Sequence, residues 1–223
     1  MTLNVPSWST STIELYHNCP YRYYRQRVKK DVQDKPNEYA EFGTYLHQRM
    51  EDRLREGRPL PQDLLVQCPK LEDYAQEVEA LPGDRMLEHQ MAINRALKPV
   101  AWFAKDAWGR AIADVLVLNN DEAWVVDWKT GKPKDNRLQS HILAFVALCT
   151  FPAIQTLHAS FVYVKHGVKK EETYRRADDM VFLADAISDQ LADISFSFAN
   201  GGWGKKPSGL CKWCPVEECE HHG

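Results

Sequence analysis

Two apolar runs, "RAIADVLVLN" (110–119) and "EAWVVDWK" (122–129), are separated by one turn signal, Asn119-Asn120-Asp121. Alternating and β-branched residues on either side of such a turn predict an antiparallel hairpin. Each run carries one acid within its apolar part, Asp114 in the first and Asp127 in the second. A turn this short brings the two carboxylates to neighbouring positions. Residues two apart in a strand share a face, so Lys129 points the same way as Asp127, with Val125 beside them. Two carboxylates crowded at low dielectric are unfavourable unless a cation lies between them. Oxygen ligands suit Mg²⁺ or Mn²⁺ rather than Zn²⁺. An amine beside that ion can orient a water and help deprotonate it, which is the chemistry of phosphodiester hydrolysis. An isolated Asp-x-Lys carries little weight, and it is the acid on the partner strand that gives this one meaning.

The rest of the chain can house such a hairpin. Its 223 residues suffice for one domain with a full core, and 26% charged and 44% apolar residues are ordinary for a globular protein. No apolar run reaches the roughly 18 residues of a membrane span. The start, "MTLNVPSWSTSTIEL", lacks a basic and then apolar leader, so a cytoplasmic location is expected, with no membrane partner. The net charge of −3 gives no reason by itself to expect nucleic acid. Basic residues nevertheless cluster in "RYYRQRVKK" (22–30), "KTGKPKDNR" (129–137), "KHGVKKEETYRR" (165–176) and "KKPSGLCKW" (205–213). Such runs are compatible with a phosphate-binding groove and equally with solvated faces.

Residues 9–30 read as a helix with a capping box of Ser11 and Glu14, divided by Pro20. Residues 38–56 read as a helix with Phe42, Leu46, Met50 and Leu54 at helical spacing, ended by Gly57 and Pro59. The polar stretch 60–84 shows only a short helical pattern around 71–80. Strands are expected at 87–94, 99–105, 110–119, 122–129 and 157–165, and helices at 135–150 and 177–198. That order predicts an α/β fold, a mixed sheet flanked by helices.

Asp114 followed by Asp127-Trp128-Lys129-Thr130-Gly131 resembles the PD-(D/E)XK superfamily, and within it the RecB-like branch. The first helix with its Cys-Pro-x-x-x-Tyr turn, "GTYLHQRME", Gln139 and the cysteine-rich tail match further features of that branch. The resemblance spans about residues 9–219 and implies a restriction-endonuclease-like fold in a single domain over 1–223. Within it, 9–56 would be the N-terminal helices, 57–84 an insert, 85–198 the nuclease core and 199–223 the tail. It implies a Mg²⁺- or Mn²⁺-dependent DNA exonuclease acting on single- or double-stranded ends in recombination, repair, or phage or CRISPR DNA processing. A recombination or annealing partner protein and an oligomer are compatible with it. The metal would be held by His47, Asp114, Asp127 and the Trp128 carbonyl. Lys129 would activate the water, and Gln139 would hold substrate or Lys129. Arg22, Arg25, Lys132 and Lys134 would meet phosphates. By itself, a histidine on an amphipathic helix is ordinary, and only the resemblance makes His47 a ligand. Glu88 matches an acidic position ahead of the family's first strand and is a supporting candidate. The family's tyrosine four positions after the glutamine is Leu143 here, with Ser140 and His141 as nearby polar residues. The alternative is a catalytically silent DNA-binding or scaffolding module on the same fold.

Cys211, Cys214 and Cys219 place three thiols within nine positions, and Cys19 lies near the N-terminus. Cys68 and Cys149 read as spare or core thiols. Clustered cysteines without an export signal indicate a metal or cluster rather than disulfides. The resemblance implies a [4Fe–4S] cluster on Cys19, Cys211, Cys214 and Cys219, joining the N- and C-terminal segments. Four residues rather than the family's five separate Cys214 from Cys219, and His221 and His222 follow, so a structural Zn²⁺ site remains an alternative.

Overall fold

The computed structural model describes residues 5–34 and 37–223. A six-stranded sheet in the order β2-β1-β3-β4-β5-β6 forms its centre. The strands are β1 (Asp84–Ile93), β2 (Pro99–Val100), β3 (Gly109–Asn119), β4 (Glu122–Lys129), β5 (Thr156–Tyr163) and β6 (Val168–Arg175). Every neighbouring pair is antiparallel except β4 and β5, which are parallel. Parallel neighbours need a crossover, and helix α6 (Arg137–Thr150) supplies it. The expected mixed sheet flanked by helices is what forms.

Two apolar layers cover the sheet. On one face α6 packs with α1 (Thr10–Asn18) and α7 (Arg176–Asn200), burying Ile13, Ile142, Phe145, Leu183 and Leu191 against Ala113, Val125 and Phe161. On the other, α3 (Glu38–Glu56) lies with α4 (Gln62–Gln67) and α5 (Leu71–Glu79) over Val115, Val117, Val126 and Trp128. Residues 57–84 are thus part of this second core, through Leu60, Leu64, Leu71 and Val78. Among the described residues, no helix is long and apolar enough to cross a membrane.

Several local expectations need correction. Helix α1 is capped by Ser9 and Thr12, not by Ser11 and Glu14. Ser9 is extended at φ −155°, which lets Thr12 Oγ1 accept its N–H at 2.7 Å. Pro20 does divide the segment, opening α2 (Pro20–Tyr23) at a position where its missing N–H costs nothing, and a π-helical turn over Tyr24–Lys29 follows. The strand expected at 99–105 is only β2, after which the chain turns through 101–108. Strand β6 was hidden because "VKKEETYR" reads as a solvated charge run. It is an edge strand in which only Tyr174 is buried, and its charges discourage further strand addition.

Two close contacts give tests of this architecture. Trp8 makes a bridge to Gly109, and a Cβ on Gly109 would lie 2.5 Å from the Trp8 ring. Gly109→Ala must push the ring out, so a loss of about 1–3 kcal/mol is expected in thermal or urea unfolding. Arg53 bridges α3 to α5 by binding Glu72 at 2.6 Å and Glu79 at 2.6 Å. The Arg53 guanidinium holds the Glu72 carboxyl below its usual 4.5, so this contribution is present above that value and lost as pH falls through the lowered one. Arg53→Ala should cost about 1 kcal/mol at pH 7, discounted for half-exposed partners, with the gap to the parent closing in paired melts as the pH falls through the lowered Glu72 value.

Candidate functional site

The site forms where β3 and β4 part. Their pairing ends at Val115↔Val126, and continuing that register would set Asp114 opposite Asp127 and Ala113 opposite Trp128. The ladder does not continue. Instead Asp114 Oδ2 accepts the Trp128 N–H at 2.7 Å, and the Trp128 carbonyl accepts His47 Nε2 at 3.0 Å. A side chain from β3 and one from α3 thus satisfy main-chain groups that β3 would otherwise have taken.

Strand β1 deviates at the same level. Leu87 pairs with Val115 and His89 with Ala113, so Glu88 faces Asp114, and Glu88 has a left-handed φ of 48°. Among L-residues that conformation is costly and occurs mostly where surrounding structure imposes it. The alternation of β3 changes phase here. Ala111 and Ala113 face the same core as Leu116, whereas Val115 and Val117 face the other. Counting by twos therefore cannot place the Asp114 side chain.

The result is a compact group. His47, Glu88 and Asp114 each offer a ligand atom, and these atoms all lie within 4.8 Å of one another. His47 Nδ1 is 3.3 Å from Asp114 Oδ1 and 3.8 Å from Glu88 Oε1. Burial pulls the His47 imidazole down, but Asp114 and Glu88 outweigh it and raise the group to about 10. Glu88 lies inside β1, which begins three residues earlier than the strand expected at 87–94. Nothing in "LEHQMAIN" announces its backbone, but the resemblance already made Glu88 a supporting candidate, and its position facing Asp114 brings it into the group.

Asp127 lies just beyond, at 4% exposure. Gln139, from the first turn of α6, donates to its Oδ1 at 2.6 Å. Lys129 Nζ stands 2.6 Å from its Oδ2 as a hydrogen-bonded ion pair. Burial and then Asp114 push the Asp127 carboxyl well above its ordinary value, against the opposing pull of Lys129. The hairpin expectation holds for Asp127 and Lys129, with Val125 in the apolar layer under α6. Facing carboxylates and an imidazole within 4.8 Å of one another form a donor set that fits a hard divalent cation. An open cleft along α3, lined by Gly43, Thr44, His47, Gln48, Glu51 and Glu88, gives access.

Other expected residues divide. Leu143 is buried in the core, Ser140 Oγ meets the Tyr174 hydroxyl at 2.8 Å, and His141 packs edge-on against Phe182. Arg25 is not available to phosphate, because it is buried and paired with Asp31 and Glu218. Arg22 pairs with Asp34 at 2.6 Å, and Lys134 reaches Glu14 at 3.5 Å. Lys132 is exposed beyond the hairpin strand.

Cys19, Cys211, Cys214 and Cys219 all line one cavity of about 210 Å³, together with His221 and His222. All four are free thiols, as are the buried Cys68 and Cys149. The tail reaches the N-terminal helices through Trp203, stacked on Tyr23 and Tyr24, and through Tyr21 N–H to the Gly204 carbonyl at 3.0 Å.

A family model described as the PD-(D/E)XK nuclease superfamily matches residues 7–219. Among solved structures, one titled "Crystal structure of SSO0001" is 12% identical, with a TM-score of 0.42, and the match covers 100% of this chain and 90% of that one. No curated protein matches the chain.

Proposed function

Because the chain belongs to the PD-(D/E)XK nuclease superfamily, we propose that it is a RecB-like, Mg²⁺- or Mn²⁺-dependent DNA exonuclease, a single domain over residues 1–223. Nucleases of this superfamily use divalent metals, and the residues that would hold the ion are His47, Asp114, Asp127 and the Trp128 carbonyl, with Glu88 joining them. The supporting observation is the meeting of His47, Glu88 and Asp114 within 4.8 Å beside Asp127. When bound, the cation supplies Lewis-acid polarisation of the scissile phosphate and neutralises its charge.

The remaining work falls to side chains. Gln139 occupies Asp127 Oδ1, which fixes the carboxylate plane and leaves Oδ2 for other partners. Lys129, 2.6 Å from that oxygen and 24% exposed, would orient and activate the attacking water. Lys132 and Lys134 stand on the loop that follows and would meet backbone phosphates, giving salt-sensitive binding.

At the tail, the four cysteines would hold a [4Fe–4S] cluster. What supports a shared site is that Cys19, Cys211, Cys214 and Cys219 line one cavity, with His221 and His222 beside them as the ligands a zinc alternative would use. Anaerobic purification should give a brown protein with iron and sulfide, whereas a colourless protein holding one zinc would replace the cluster by Zn²⁺.

The nuclease reading is tested with 5′- and 3′-labelled single- and double-stranded DNA and Mg²⁺ or Mn²⁺. Mononucleotides or short products released progressively from an end, and abolished by EDTA, are expected. Cleavage of covalently closed circles would make it an endonuclease, and binding without cleavage would leave a silent DNA-binding module.

A further inference from the structure

The loop between β4 and α6 is anchored by one phenol. Tyr163 lies in β5 opposite Lys129 and is 1% exposed. Its oxygen accepts the Lys134 N–H at 3.1 Å, and its proton reaches the Lys134 carbonyl at 3.0 Å. The same hydroxyl meets Asn136 Oδ1, while buried Asn136 Nδ2 has no partner. A phenol has one proton and cannot donate to both oxygens. Turning the Asn136 amide over resolves both problems, since Nδ2 then donates to a phenol that donates to Lys134 and accepts twice. Lys170 Nζ, from β6, adds a second bond to the Lys134 carbonyl at 2.6 Å.

These contacts lead to the site. Asn136 is the residue before α6, and its carbonyl accepts the Ser140 N–H at 2.9 Å. Gln139 is in the first turn of that helix and donates to Asp127. A phenylalanine would pack as well against the apolar layer, whereas among the described residues every polar partner of the Tyr163 hydroxyl belongs to Lys134 or Asn136. We propose that Tyr163 is a positioning residue, whose hydroxyl holds the 134–136 loop so that Gln139 meets Asp127. The inference rests on the role given above to Gln139.

The test is Tyr163→Phe in the full chain, with Asn136→Ala as a second variant that leaves the ring intact. By NMR, both should speed exchange of the Lys134 amide or shift the Gln139 side-chain amide signals, while amides of β4 and β5 stay protected. With Mn²⁺ and end-labelled DNA, kcat should fall about tenfold and KM change less than about twofold. In a Gln139→Ala background, Tyr163→Phe should cost nothing more, because both act through one contact. Unchanged Gln139 signals in both variants, or losses that multiply in the double variant, overturn the proposal. A parent protein that cleaves no DNA would sink the nuclease reading, and the NMR comparison would still decide the positioning role.

Discussion

Lys129→Ala should lower metal-dependent DNA hydrolysis by about 10²–10⁴-fold, the range for losing a positioned acid–base group. Lys129 is the amine that stands 2.6 Å from Asp127 Oδ2, and Asp127 is almost wholly buried. Its Nζ also lies 5.6 Å from the centre of the Phe161 ring, so Lys129→Met is the companion that keeps the stem packed. Both variants should bind Mn²⁺ and DNA nearly as the parent does, because neither removes a proposed ligand. Single-turnover rates on end-labelled DNA, beside calorimetric Mn²⁺ titrations, check this. Turnover within about threefold of the parent would be too small a loss for a water-activating role.

Asp114→Asn should separate stability from function. Its oxygen can still accept the Trp128 N–H, now made at 2.7 Å by Oδ2, so the join between β3 and β4 is kept. The substitution removes one of two facing carboxylates, the one that raises Asp127 after burial itself. That relief is offset by the loss of the Asp114 charge that holds protonated His47, so metal-free stability should change little. A cation at about 100 times its Kd stabilises the parent by about 2.7 kcal/mol. Most of that gain should vanish in Asp114→Asn, and cleavage should fall by about 10³-fold, the upper range for a lost electrostatic partner. Asp114→Ala, which leaves the Trp128 N–H without its acceptor, should also lose about 1–3 kcal/mol without metal. Melts with EDTA and with Mn²⁺ measure these terms, and a Mn²⁺ shift as large in Asp114→Asn as in the parent would remove Asp114 from the ligand set.

Much of this was legible in sequence because it depended on local pattern. The hairpin, its turn and the shared face of Asp127 and Lys129 follow from a period of two across ten residues or so. Helix α3 follows from Leu46, Met50 and Leu54 at helical spacing and from its stop at Gly57, while its Asn37 cap was not anticipated. Strand β6 failed because an edge strand needs no apolar alternation, and its hydrogen bonds to β5 are invisible in composition. Arg25 failed because its partner Glu218 is remote in sequence.

The chain's local chemistry determined which groups exist and which neighbours share a face: an acid on each hairpin strand, an amine two residues on, a histidine on an amphipathic helix. Tertiary structure alone decided that these meet. The parting of β3 from β4, the left-handed turn of Glu88 and the anchoring of the α6 loop by Tyr163 each arise from contacts between distant segments. Such contacts form only when two apolar layers close over the sheet, and no window of neighbouring residues encodes them.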